Sequence, residues 1–418
     1  LYLFEPVDEN GAVRRCFVPR GAYSHVDIGV RLGDALIEQP TPLWGSTLFA
    51  GWRLGQGDFA VYDGKLATNA NGELRAGLSV PLWRNGPTDR RRANIDRAVL
   101  GLPLADLSIA EQRLAFRRQA SVRYWEWVAA GRRREIAQAL LVIARERDQA
   151  LQARVAAGDM PEIERTDNQR ALVQREGLLV AAERQLRRAA IELSLYLRRP
   201  DGAPLEPEPL RLPAELPAPA LSAAALRDPA AQQEDLRLAL SRRPEVRRQR
   251  ALREQQQVEL RLSRNQQAPA IDVAVSVSQD LGPGAPIRGR PEVESSVLFD
   301  LPLLLRGARG RVQVVEAGLA RLSAQQRLVV DRVIADVNDA RSALLAASER
   351  EGAARREADL AQRLAAGERT RFDLGESTLL FVNLREQQAA EAALRVVDAL
   401  LDYHRALAAY QAALAAPQ

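Results

Sequence analysis

Residues 73–90 read Glu-Leu-Arg-Ala-Gly-Leu-Ser-Val-Pro-Leu-Trp-Arg-Asn-Gly-Pro-Thr-Asp-Arg. Leu74, Ala76, Leu78, Val80 and Leu82 fall on one side of this stretch, with Glu73, Arg75, Gly77 and Ser79 on the other. A period of two over about ten residues marks an amphipathic strand. Beyond Pro81 the alternation stops and a helical pattern takes over. The stretch is a strand that hands over to a helix.

The same handover is written a second time. Pro81-Leu82, Gly86 and Arg90 recur with identical spacing as Pro302-Leu303, Gly307 and Arg311. Downstream of each lies a second landmark, Ala157-Gly158-Asp159 in the first half and Leu374-Gly375-Glu376 in the second, at nearly the same offset. After each glycine a helical pattern runs on, to Leu197 and to Leu414. Two landmarks in the same order indicate an internal duplication.

Further strands follow from the same period. Ile271, Val273, Val275 and Val277 alternate with Asp272, Ala274, Ser276 and Ser278, and Val297, Phe299 and Leu301 with Ser296, Leu298 and Asp300. Leu48, Ala50, Trp52 and Leu54 suggest a fourth strand with Arg53 on its opposite face. Gly64 with the Asn69–Gly72 cluster reads as the turn of one hairpin, and Gly282–Gly289 as that of the other. The helical segments carry heptad-like spacing: Val312, Val315, Leu319, Leu322, Val329, Val333, Val337 and Leu344 in one, Leu394, Val397, Leu401 and Leu407 in its return. From proline to turn glycine each ascending helix spans ~100 Å at 1.5 Å per residue. These are long coiled hairpins, the first expected to kink at Pro103. Gly158 and Gly375 suit the left-handed position that ends a helix. Between the halves, the proline-rich run from Pro200 to Pro219 reads as an extended linker. A short helix around Gln232–Ser241 and a longer one over Pro244–Asn265 follow it.

Composition narrows the function classes. No run of 18 apolar residues occurs, so a membrane-spanning helix is not expected, while β-barrel strands stay open. The basic charge is almost all arginine, with Lys65 the one lysine, and acidic residues interleave with it, as in Arg145-Glu146-Arg147-Asp148. That reads as a solvated face laced with ion pairs, and no nucleic-acid partner is expected. Cys16 is the only cysteine, which rules out an internal disulfide and a four-cysteine metal site, and it reads as a spare loop thiol. His25 and His404, the only histidines, lack carboxylate or cysteine neighbours at relay or ligand spacing and read as exposed or capping residues. No catalytic, cofactor or metal site is expected, so the chain does not read as an enzyme. Met160 is the only methionine, which argues against a methionine relay for copper or silver. The sequence opens at Leu1 without a leader, so a removed signal peptide or a shortened N-terminus is expected.

Four amphipathic strands cannot close a membrane barrel, and an open sheet in lipid leaves two edges of unsatisfied amides. Pooling strands from identical copies around an axis removes those edges. Trp44, Trp52, Tyr62, Trp83 and Phe299 sit near strand ends, where an interfacial girdle would lie.

The ordered set of strand, strand, Pro-Leu, Gly, helix, Gly and helix, written twice, resembles the TolC family of outer-membrane efflux and secretion channels. Arg243-Pro244-Glu245-Val246 and the Gly375-Glu376-Ser377-Thr378 turn belong to the same resemblance, which covers Trp44 to Leu414. It implies a mainly α fold with β: long antiparallel hairpins building an α-barrel, plus four transmembrane strands per protomer, internally duplicated and trimeric. It implies strands at 45–84 and 269–304, periplasmic helical hairpins at 85–199 and 305–415, an equatorial linker at 200–242 and a helix at 243–268. Residues 1–44 are left with an uncertain fold, lacking the helix the family places before strand one. The implied partners are two further copies, outer-membrane lipid, a periplasmic adaptor and an inner-membrane transporter. The implied location is the outer membrane of a Gram-negative bacterium, reaching into the periplasm.

At the gate the family often sets aspartates six and nine residues after the second turn glycine. Here those positions are Phe381 and Leu384, whereas Glu164 and Asp167 stand at the same spacing after the first. These four are the gate candidates. Gly158, Asp159, Gly375 and Glu376 are the hairpin tips and candidate adaptor contacts, and Pro81, Gly86, Pro302 and Gly307 mark the barrel-to-helix transition. The competing reading is a periplasmic coiled-coil adaptor or scaffold.

Overall fold

The computed structural model describes residues 31–57, 67–213, 215–301 and 303–416. Cys16, His25, Tyr62, Gly64, Lys65 and Pro302 lie outside the described residues. Five strands form one antiparallel sheet in chain order: β1 (Arg31–Pro40), β2 (Thr47–Gln56), β3 (Glu73–Pro81), β4 (Ala270–Asp280) and β5 (Glu292–Asp300). The helices are α1 (Arg90–Ala156), α2 (Glu162–Ser194), α3 (Ala223–Arg227), α4 (Pro229–Arg242), α5 (Pro244–Asn265), α6 (Arg306–Asp373) and α7 (Leu379–Ala413). Among the described residues no helix is long and apolar enough to cross a membrane.

The duplication is visible element by element. β3 and β5 have nine residues each, α1 and α6 have 67 and 68, and α2 and α7 have 33 and 35. Alternation predicts four strands, and those four are β2 to β5. The fifth, β1, is a correction to that count. Its sequence, with Gly33-Asp34 and Leu36-Ile37 side by side, breaks strict alternation and gives no clean period of two. Pairing along the whole of β2, from Arg31 opposite Gln56 to Pro40 opposite Thr47, is what makes it a strand. Part of the 1–44 segment is therefore sheet.

The described chain divides into two compact units. One holds the chain before Pro103 together with Ala251–Ser323, and the other holds Pro103–Arg250 with Ala324–Gln418. Pro103 lies inside α1, which continues through it as one helix.

In the first unit, the ends of β3 and β5 and the start of β4 lie together, with Pro81 opposite Asp272 and Ala270 opposite Asp300. Below this end Ala93 of α1 packs with Val258 and Leu262 of α5. Arg97 pairs with Glu259 at 2.8 Å, and the Gln255 amide donates to the Arg97 carbonyl at 2.9 Å.

In the second unit, Val333, Val337 and Leu344 of α6 are buried with Leu226 and with Tyr403 of α7, as the heptad spacing requires. Trp127, Leu186, Leu193, Val397 and Leu401 form a neighbouring core. The linker is strapped to the helices through its own carbonyls and amides. Arg132 donates to the Pro213 carbonyl at 2.7 Å, and the Leu221 amide donates to the Tyr403 hydroxyl at 3.1 Å. Arg341 donates to the carbonyls of Leu226 at 2.9 Å and Asp228 at 2.9 Å, and pairs with Asp235, which also accepts from the Tyr410 hydroxyl at 2.6 Å. Burial and the Asp235 carboxylate both push the Tyr410 phenol up, so it stays a donor.

His404 corrects its expected exposed or capping role. It is buried, stacked on Trp125 at 3.8 Å between ring centroids, and its Nε2–H donates to the Pro217 carbonyl at 3.2 Å. Burial holds its pKa below the usual histidine value, so the ring is a neutral wedge between helix and linker.

Candidate functional site

The sheet has two chemically distinct faces. Leu48, Ala50 and Trp52 of β2 stand opposite Leu78, Ala76 and Leu74 of β3, which are followed across β4 by Val275 and Val277 and across β5 by Val293 and Val297. The reverse face carries Arg53 paired with Glu73, Asp34 paired with Arg75 at 2.9 Å, and Asp272, Ser276, Ser278 and Glu294, together with the apolar Leu36, Phe49 and Leu298. Asp34 reaches Arg75 past Gly51, where a Cβ would come within 2.6 Å of the Ala35 carbonyl oxygen.

Along β2, β3 and β4 burial on the two faces is the inverse of a water-soluble sheet. Along β3 the apolar Leu74, Ala76 and Leu78 are exposed, while Arg75, Gly77 and Ser79 are half-buried. On β5 both faces are exposed, Val293 by 71% and Val297 by 70% on the apolar one. No helix covers the apolar face among the described residues. A contiguous uncovered apolar surface marks contact with protein or membrane. Phe299, Trp44 and Trp83 lie exposed toward the helix end, and Trp52 donates to the Asn71 carbonyl at 2.8 Å toward the other.

The transition residues fasten the loop after β3 to the first helix. Arg92 of α1 donates to the carbonyls of Asn85 at 2.7 Å and Gly86 at 2.6 Å and pairs with Asp89 at 2.7 Å. A Cβ on Gly86 would meet the Trp44 indole at 2.6 Å, so the glycine permits that packing. The corresponding space at Gly307 is open. Pro81 is the last residue of β3, opposite Asp272. An open cavity of about 890 Å³ lies here, lined among others by Thr47, Ser79, Asp89, Arg92 and Asp272.

The hairpin turns in the second unit are copies of one another. Gly158 N–H donates to Val155 O at 3.0 Å and Asp159 N–H to Arg154 O at 2.9 Å; Gly375 N–H donates to Phe372 O at 3.0 Å and Glu376 N–H to Arg371 O at 2.8 Å. Both glycines are left-handed, with φ of 80° and 81°. This is the Schellman pattern, which satisfies the last carbonyls of each ascending helix. The Arg154 guanidinium sits 5.9 Å from the Phe372 ring centroid, joining the two ascending helices just before their turns.

Glu164 lies in the first turn of α2, where a carboxylate complements the helix dipole, and is half-buried. Asp167 is half-buried and pairs with Arg170 at 3.3 Å. On α7, Leu379, Val382 and Glu386 turn inward, which leaves Phe381 and Leu384 on the outward face, 49% and 43% exposed. Leu374 and Leu380 are exposed beside them in sequence, making an uncovered apolar turn.

Sequence reading missed the charge cluster behind this turn. Glu386, 2% exposed, accepts from Arg147 of α1, from Arg175 of α2 at 3.2 Å and from Arg369 of α6 at 2.8 Å. Arg147 also donates to Asn383 at 2.7 Å, and Arg175 to the Leu140 carbonyl at 3.1 Å. Burial pushes the Glu386 carboxyl up, but hydrogen bonds and charge from Arg147 and Arg369 outweigh it and hold its pKa below the usual range. Burial lowers the Arg175 pKa against the pull of Glu386. No signal in the sequence marks the cluster, because its members come from four helices and resemble any other interleaved charge. Among the described residues no group of acidic, histidine or cysteine side chains could hold a metal.

This arrangement matches known structures closely in fold. A membrane protein from Pseudomonas aeruginosa superposes with a TM-score of 0.64 at 18% identity, over 92% of this chain and 83% of that one. The outer membrane protein VceC from Vibrio cholerae gives 0.62 at 15% identity, over 93% and 86%. The MtrE outer membrane channel of Neisseria gonorrhoeae, in its open state, gives 0.64 at 17% identity, over 93% and 80%. The chain has the fold of a TolC-type outer-membrane channel. A scan against protein-family models and a search of curated protein sequences return no match. The likeness to the TolC-type fold therefore lies in three dimensions, with the duplicated strand-to-helix unit as its sequence trace.

Proposed function

We propose that this chain is one protomer of a trimeric outer-membrane channel that carries substrates outward from a periplasmic adaptor and inner-membrane transporter, by efflux or by secretion of the type I kind. The observation that carries this is the sheet face whose apolar residues are more exposed than its polar ones. In water such a face costs roughly 25 cal/mol per Å² left uncovered, whereas a bilayer accepts it. The polar face would line a water-filled barrel, and the duplicated helices would continue the duct into the periplasm. Catalysis has no part in this reading. The adaptor or scaffold alternative is less well supported, since an adaptor needs one hairpin and small β domains, and has no use for a bare apolar sheet face.

At the far end of the helices, Glu164 and Asp167 would repeat around the axis as acidic rings that attract cations. Phe381 and Leu384 would form an apolar collar that closes the pore by dewetting. Their support is the outward position of Phe381 and Leu384 and the bare turn around Leu374 and Leu380. Gly158, Asp159, Gly375 and Glu376, all exposed, would meet the adaptor. The test is membrane fractionation followed by planar-bilayer recording. A channel stays in carbonate-washed membranes, leaves them in detergent as a trimer and conducts; a carbonate-soluble monomer without conductance overturns the proposal.

A further inference from the structure

The odd strand, β1, conflicts with any closed assembly of this sheet. All four neighbouring pairs are antiparallel, so β1, β3 and β5 run one way and β2 and β4 the other. A ring of identical copies joins the last strand of one to the first strand of the next. With β1 as first strand, the joint would pair β5 with a strand running the same way. With β2 as first strand, the joint is antiparallel, like every other pair in the wall, and each copy contributes an even number of strands, as bacterial barrels require.

Two observations single out β1 as the strand that leaves. It alone has no counterpart in the duplication, because β4 is preceded by α5 where β2 is preceded by β1. It also enters the sheet from the wrong end. α5 leads into β4 at the helix end, beside Pro81 and Asp300, whereas β1 starts at Arg31 opposite Gln56, at the end away from the helices. The hinge is short: Thr41 N–H donates to Ser46 O at 2.8 Å, and Trp44 and Gly45 are both left-handed, with φ of 50° and 70°. For Trp44 that conformation is strained, and opening the hinge relieves it.

We propose, resting on the channel reading, that β1 is an exchangeable edge strand. It covers the β2 edge in the single chain and is displaced by β5 of a second copy when the barrel closes. The exchange conserves hydrogen bonds along β2, since β5 has nine residues and β1 ten. It also satisfies the outer edge of β5, which among the described residues pairs only with β4. Until a second copy arrives, β1 shields an amide row that would otherwise template wrong pairing. Released, it would swing about Thr41–Ser46 to the helix end, where α5 stands in the second repeat.

The test uses the full chain in a Cys16→Ser background with Ile37→Cys and Ala50→Cys, residues that face each other across β1 and β2. Oxidised before refolding into lipid, this variant should link β1 to β2 and yield about tenfold less oligomer than the same protein reduced, because the edge is blocked. Assembled first and then oxidised, it should fail to form the link. Equal assembly of the oxidised and reduced forms, or efficient linking within the finished oligomer, overturns strand exchange while leaving the channel intact. If the Cys16→Ser parent itself forms no oligomer in lipid, the channel reading fails and takes the exchange with it. Asp34→Ala, which removes the Arg75 pair without a disulfide, should speed assembly; slower assembly counts against the proposal.

Discussion

Arg175 of α2 and Glu386 of α7 form an ion pair, Nη2 to Oε2 at 3.2 Å, with side chains 6% and 2% exposed. One carboxylate thereby ties the return helix of the first repeat to the return helix of the second. Arg147 and Arg369 bring the two ascending helices to the same carboxylate. Three guanidiniums on one buried anion make Glu386 the residue whose loss is felt most.

Glu386→Ala is expected to destabilise the second unit by about 3–5 kcal/mol, because Arg147 and Arg175 would remain buried without their counter-charge. Glu386→Gln keeps the shape but not the charge and should cost less. Thermal or denaturant unfolding of the detergent-solubilised protein checks this, and a loss below about 1 kcal/mol for the alanine variant, the range of a surface pair, would contradict the assigned role.

His404 and Glu386 are among the groups that set the pH dependence, alongside the depressed carboxyls of Asp89 and Glu126. His404 has a folded pKa below its usual value of about 6.5, so its contribution is complete above that pH and declines as pH falls through the window beneath it. Glu386 is also depressed, from an ordinary value of about 4.3, so its contribution holds above that pH and is lost as pH falls through the lower folded value. Melting temperature should fall in two stages on acidification. The first stage should vanish in His404→Gln and persist in Glu386→Gln.

Gly158→Ala and Gly375→Ala should each cost about 1 kcal/mol, since each forces a Cβ into the left-handed region. Neither site has a neighbour within 4 Å of the added carbon, so conformational strain is the whole effect and the two losses should match. Asparagine at either position should recover part of the loss. A much larger cost in equilibrium unfolding at one site only would show that its turn is packed against something further.

On the sheet, Val297→Arg places a charge on the bare apolar face and should cost about 2–4 kcal/mol in lipid, visible as loss from the membrane fraction. Ser296→Arg, one residue away on the polar face, should leave membrane insertion unchanged. Equal behaviour of the two variants would mean that the faces do not meet different solvents.

For the acidic-ring proposal, Glu164→Ala combined with Asp167→Ala should lower cation selectivity in single-channel recording. Phe381→Ser with Leu384→Ser should raise the open fraction of the isolated channel. Unchanged conductance and selectivity in the first variant would discard the acidic rings.

Local pattern was enough to read β2 to β5, the four long helices and both turn glycines, because strand alternation, heptad spacing and a left-handed helix end are properties of short stretches of chain. The Pro81 handover and its echo after Asp300 made the duplication legible without any partner. Tertiary structure alone decided four things. It placed β1 at Arg31–Pro40, whose uneven pattern becomes a strand only against the free amides of β2. It gathered Arg147, Arg175, Arg369 and Glu386 from four helices into one buried cluster, and buried His404 against Trp125. It left the apolar sheet face uncovered by any described helix. Pairing, burial and exposure depend on residues distant in sequence, so no local period encodes them.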